Sequence, residues 1–149
     1  MPRTWTIPEG LRVLADGSWR VGELPVVHDR GLVYLKSHLV FENGGAFVVD
    51  GARRMPVVVE GPAFEATQLR LDFERGSASV ILDDGTEESL TSTSLGMSEE
   101  TGRFECAVRG GHARAAFSRA AHQTLLEHVI EEGGTFSLRV GARRIPLRT

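Results

Sequence analysis

FVVDGARRMPV at residues 47–57 and FSLRVGARRIPL at residues 136–147 are near copies of one another. Each reads as a hairpin. Short flanks rich in apolar and β-branched residues surround a Gly-Ala pair, which suits a two-residue type II′ loop with glycine supplying positive φ at its first central position. Pro56 and Pro146 both stand five residues after the turn glycine. A proline there removes one ladder donor, so both second strands are expected to run along an edge or a bulge at that point.

Upstream the likeness continues with small shifts in register. The pairs Gly44-Gly45 and Gly133-Gly134 precede the hairpins, and before them lie helical patterns expected at residues 30–42 and 119–132, N-capped by Asp29 and Ser118. The first gathers Leu32, Val33, Leu35, Leu39 and Val40 on one side; the second gathers Ala121, Leu125, Leu126, Val129 and Ile130. Further back, LRVLADGSWRV (11–21) and LGMSEETGRFECAV (95–108) each read as strand, turn, strand. Between the copies, FEATQLRLDF (64–73) and SASVILDD (77–84) alternate like half-buried antiparallel strands that extend the first sheet or bridge both. The expectation is an α+β fold of two repeated hairpin, helix, hairpin lobes. The first spans residues 1–86 with the two extra strands, and the second spans 87–149. One cooperative unit is expected, because a four-stranded unit with one short helix buries too little apolar surface to be comfortably stable alone.

Composition narrows the function classes. The 149 residues are 41% hydrophobic and 25% charged, which suits a folded domain. No apolar run reaches the ~18 residues of a membrane span, and MPRTWTIPEG lacks the apolar centre of a secretory signal, so a cytoplasmic protein without a membrane partner is expected. Cys106 is the sole cysteine, which excludes an internal disulfide and a thiolate metal cluster. A net charge of −3 and a pI near 6.0 give no pull toward nucleic acid. The cations are 16 Arg and one Lys, Lys36, which codon bias in a G+C-rich genome explains more simply than selection for bidentate contacts. Acids crowd residues 83–105, and four arginines without an acid follow from Arg139 onward.

The words DGSW (16–19), GELPV (22–26), FVVDGARRMPVVVEGPAF (47–64) and ETGRFECAVRGG (100–111), followed by FSRAAHQTLLEHV (117–129), resemble the bacterial family catalogued as domain of unknown function 1285. The resemblance implies two lobes of repeated hairpin and helix and a part in signalling or regulation; it brings no catalytic residue. The family tends to carry aromatic residues beside the second helix start and in the final hairpin. This chain has His122 and Gly141-Ala142-Arg143-Arg144 there, so an aromatic-lined cleft is not expected.

Enzyme signatures such as GxSxG, HExxH, a P-loop or GxGxxG do not occur. Among the five histidines, 28, 38, 112, 122 and 128, the last two stand about 240° apart on one helix and cannot share a metal from it, so no metal or cofactor is expected. Cys106 alternates inward with Phe104 and Val108, opposite Glu105 and Ala107, which reads as a buried neutral thiol. Lys36 and His122 fall inside apolar stripes. Each has two readings: a snorkelling stem or a packed imidazole, or the lining of a polar cavity between lobes. In the second GARR hairpin Arg139 faces Arg144, a pairing that calls for a phosphate, an acidic partner, or the Asp83–Glu88 stretch folded over them. The candidate ligand-binding residues are therefore Lys36, His122, Arg53, Arg54, Arg143 and Arg144. The expected function is a non-catalytic regulatory or signalling module for an unknown small-molecule or protein partner, with its site sought between the lobes. The competing readings are a small enzyme on an anionic metabolite, with His122 as acid or base and an arginine as anion clamp, and a structural subunit whose edge strands pair into a homodimer.

Overall fold

The computed structural model describes residues 7–90 and 94–148. The first six residues, part of the segment read above as lacking a secretory pattern, lie outside them. The chain is α+β and divides into two compact units, Met1–Ala63 and Phe64–Thr149.

The first unit runs β1 (Leu11–Val13), β2 (Trp19–Val21), β3 (Leu24–Pro25), α1 (Asp29–Ser37), β4 (Leu39–Glu42), β5 (Gly45–Asp50) and β6 (Arg53–Val59). They form one sheet in the order β3-β2-β1-β6-β5-β4, closed in its middle by parallel pairing of β1 with β6. Its core side carries Leu11, Val13, Trp19, Leu39, Val48 and Val57, all buried. The Trp19 indole satisfies its N–H by donating to the Ala63 carbonyl at 2.9 Å.

The second unit runs β7 (Phe64–Asp72), β8 (Ser77–Leu82), β9 (Glu87–Ser89), β10 (Gly96–Met97), β11 (Phe104–Val108), β12 (Ala113–Phe117), α2 (Arg119–His128), β13 (Val129–Glu132), β14 (Thr135–Val140) and β15 (Arg143–Pro146). The order β10-β11-β12-β7-β8-β9 makes one sheet and β13-β14-β15 another. Beyond β15, Arg148 bridges Gly96 in parallel, the counterpart of the β1 and β6 pairing. Each unit thus holds a three-stranded meander, a helix and a second meander in the same order. The strands β7 and β8, attached by the sequence reading to the first lobe, hydrogen-bond in the second unit's sheet. Phe64–Ala66 pair in parallel with Ala115–Phe117, and all of Phe64, Ala66, Ala115 and Phe117 are buried.

Several expectations change. The helices end at Ser37 and His128 rather than 42 and 132, and the residues that follow turn into β4 and β13. The reason is turn chemistry: Asn43-Gly44 and Gly133-Gly134 all have positive φ, as a two-residue type I′ hairpin loop requires, and the preceding segment pairs back with the next strand. The Gly-Gly pairs therefore do not correspond; Asn43-Gly44 matches Gly133-Gly134. With that alignment the shifts in register vanish. His28 and Ser118, Leu39 and Val129, Val48 and Leu138, Met55 and Ile145 all keep one constant offset.

The first N-cap is accordingly His28, whose Nδ1 accepts from the Gly31 N–H at 3.0 Å, with Asp29 in the first turn. Ser118 caps α2 as expected and also donates to the Thr67 carbonyl. Both prolines sit at edges, as expected: Pro146 lies on β15, the outer strand of its three-stranded sheet, and Pro56 is paired on one side only, since β6 meets β1 from Val57 onward. Glu105, expected outward, is buried at 3% exposure, with the Thr101 and Arg114 side chains bonded to its carboxylate.

Gly51 and Gly141 both hold φ of 61°, with no positive φ at the alanine after them, as a type II′ turn predicts. Their surroundings differ. A Cβ on Gly51 would meet nothing within 4 Å, whereas one on Gly141 would stand 2.2 Å from the Phe73 carbonyl oxygen. Gly51→Ala is expected to cost about 1–3 kcal/mol from backbone strain alone. Gly141→Ala must also displace the β7–β8 turn, so chemical denaturation should show a larger loss for it; equal losses would contradict this contact.

Candidate functional site

The constant offset lets the outward faces of β4-β5-β6 and β13-β14-β15 be compared position by position. In the first unit Val40, Phe47 and Pro56 stand side by side, and in the second Ile130, Ser137 and Pro146 do. Glu42 and Arg54 join in an ion pair at 2.8 Å, and their counterparts Glu132 and Arg144 do the same. Besides Gly45, whose counterpart is Thr135, the likeness ends at two positions that change the space and the charge. Phe47 fills the first unit's face, with the Arg54 guanidinium 4.0 Å above its ring, while Ser137 leaves that place open. Val49 lies opposite Arg54, and in its place Arg139 lies opposite Arg144.

The open face carries two cavities that share Ile130. The larger, about 440 Å³, lies where the end of α2 and the strands β13 and β14 meet the β7–β8 turn. It is lined by Phe73, Glu127, His128, Val129, Ile130, Arg139 and Gly141. The smaller, about 170 Å³, includes Ile130, Ser137 and Arg144. The close approach of Gly141 to the Phe73 carbonyl sets the edge of the larger one. Phe73 is half exposed, and its ring stands 5.2 Å from the His128 imidazole. An aromatic wall is therefore present, supplied by the β7–β8 turn rather than by the helix start or the final hairpin. Arg144 has its acid in Glu132. Among the described residues Arg139 has no ion-pair partner, only a 3.4 Å contact from Nε to the Gly141 carbonyl, and Glu127 has none either. A third cavity of about 720 Å³ lies across Phe73 along β7 and β8, where Glu87 already bonds Arg70 and Ser79.

The residues singled out from sequence are distributed otherwise. Lys36 is buried in α1 of the first unit; His122 is half-buried in α2, with its ring 5.0 Å from Phe104. Arg53 binds Asp50 at 3.0 Å, and Tyr34 donates to the same carboxylate; the bond to Tyr34 holds Asp50 below the usual carboxylate range, and the Tyr34 phenol is pushed up, chiefly by burial. Arg143 lays its side chain over Gly76. Of these six, only Arg144 lines one of the three cavities. Phe73, Glu127 and His128 were not flagged as site residues, and Arg139 was noted only for its pairing with Arg144. A signal for Arg139 and Ser137 was present in their mismatch with Val49 and Phe47, visible once the copies are aligned without shifts.

The acidic 83–88 stretch does not cover the GARR arginines. It is met by Arg109, whose guanidinium binds Asp84 and Glu88 and lies 4.6 Å from the Phe64 ring, while its backbone N–H donates to Glu88 at 2.9 Å. Arg109 holds a φ of 54°, a conformation an L-residue sustains only when its surroundings determine it. The Asp84 side chain is 1% exposed, and without its cation the charge keeps only the Thr86 N–H and hydroxyl as donors. Arg109→Ala should destabilise by about 3–5 kcal/mol. Arg109→Gly, which relieves the strained φ, should still destabilise; a neutral result for either in urea unfolding would refute this.

Cys106 is fully buried as expected, and burial pushes its thiol up from 9.0 to about 12. Glu105 beside it accepts from Arg114 Nε at 2.8 Å and from the Thr101 hydroxyl at 2.9 Å. Because the thiol ionises more readily unfolded, the protonated form adds stability that is complete below pH 9.0 and is lost as pH rises from there toward about 12. Cys106→Ala should flatten that alkaline decline in thermal midpoint, and a thiol reagent at pH 8 should modify the native protein only as fast as it opens.

Among the described residues no helix is long and apolar enough to cross a membrane. No protein-family model and no curated protein matches the chain. Two solved structures do. A DUF1285 family protein from Silicibacter pomeroyi DSS-3 superposes with a TM-score of 0.71 at 18% identity, over 95% of this chain and 81% of that one. A DUF1285 family protein from Shewanella baltica OS155 gives 0.59 at 12% identity, over 80% and 91%. At these identities the likeness is one of fold: the chain is built like the DUF1285 family proteins, as its motifs led one to expect.

Proposed function

We propose that this protein is a non-catalytic, ligand-binding regulatory module, and that a small organic molecule sits on the outward face of the second unit. One observation carries the reading: two faces of the same construction differ where the first is filled by Phe47 and Val49 and the second is opened by Ser137 and given an unpaired cation by Arg139. The larger cavity falls in the range of ~300–1,000 Å³ that small-molecule sites occupy, with an aromatic face, apolar walls and few polar groups. Its walls come from the last turn of α2, the three-stranded β13-β14-β15 meander and the β7–β8 turn. A molecule held among them restrains all three together, which is the physical basis for a regulatory role.

The test is to make the second face like the first. Native mass spectrometry of protein purified from its own cells should find a small-molecule adduct, and the double variant Ser137→Phe with Arg139→Val should lack it while keeping its thermal midpoint within a few degrees. An adduct retained by the double variant, or none in the parent, would overturn the reading.

A further inference from the structure

Resting on that reading, we infer that the ligand of the larger cavity is a small zwitterion with an aromatic or bulky apolar substituent, of the free amino acid type. The cavity is lined by charges of opposite sign, Arg139 on β14 and Glu127 at the end of α2, and among the described residues neither forms an ion pair with the other or with any third group. Elsewhere Arg53, Arg54, Arg70, Arg109, Arg114 and Arg144 each have a carboxylate while, among the described residues, Arg30, Arg119, Arg143 and Arg148 have none, so what sets Arg139 and Glu127 apart is that the two opposite charges line one cavity. A simple anion answers Arg139 and leaves Glu127 repelling it. A simple cation does the reverse.

A molecule carrying a carboxylate and an ammonium on one carbon satisfies both. The carboxylate takes the planar guanidinium fork of Arg139, and the ammonium donates to Glu127. The rest of the molecule then has Phe73, Ile130 and Val129 to lie against, with the Phe73 ring offering a stacking face. The first unit lacks the cation at the matching position, where Val49 stands, so the specificity belongs to the second unit alone.

The experiment is a backbone amide NMR titration of the full chain with four probes that share a phenyl ring: L-phenylalanine, 3-phenylpropionate, phenethylamine and benzyl alcohol. L-Phenylalanine should shift the amides of His128, Ile130 and Arg139 and bind about tenfold more tightly than either singly charged probe. Arg139→Val should bring its affinity down to that of phenethylamine, and Glu127→Gln to that of 3-phenylpropionate, with both variants keeping the parent's dispersed spectrum. Binding by benzyl alcohol as tight as by L-phenylalanine would overturn the zwitterion and leave the cavity reading standing. So would silence from all four probes in a protein that carries a native adduct, whereas silence together with an adduct-free native spectrum would overturn both.

Discussion

The molecule depends on strand register, and register depends on turns of only two residues. Side chains alternate along a strand, so a slip of one position in β14 would turn the fully buried Leu138 and Val140 outward and drive Arg139 into the core. Asn43-Gly44, Gly51-Ala52, Gly133-Gly134 and Gly141-Ala142 forbid that slip. Each closes a hairpin whose flanking residues pair directly, and each draws on the positive φ that glycine or asparagine accepts. With register pinned, one face of each meander is dry and the other is free to vary.

That freedom is where the units part. On the inner faces Leu39 matches Val129, Val48 matches Leu138 and Met55 matches Ile145, while Phe41 and Ala46 give way to Glu131 and Phe136. On the outer faces the Glu42–Arg54 pair and its counterpart Glu132–Arg144 persist, yet a phenylalanine becomes a serine and a valine becomes an arginine. Such exchanges cost little at exposed positions, and they turn a covered surface into one with room and an unanswered charge. The β7–β8 hairpin completes the change by bringing Phe73 to the second unit's helix end.

Charge follows the same logic of local partners. Three of the four arginines of the GARR turns, Arg53, Arg54 and Arg144, find acids on their own sheets, Asp50, Glu42 and Glu132. The acidic 83–88 stretch is met by Arg109, from a strained turn that no spacing rule singles out. Pairs of this kind add little stability where exposed and much more where one member is buried, as Asp84 is.

The likeness of the two lobes, the hairpins, the inward thiol of Cys106 and the capping serine of α2 were legible in the residues themselves, because local turn chemistry and alternation specify them within a few positions. The helix ends were misread for a local reason too: Asn43-Gly44 is a hairpin turn, and taking the glycines as helix stops hid two strands. Which sheet β7 and β8 join, the burial of Glu105, and the meeting of Phe73, His128 and Arg139 were decided only by tertiary structure. Those outcomes depend on contacts between residues tens of positions apart, such as the passage of the Phe73 carbonyl over a glycine that has no side chain to block it.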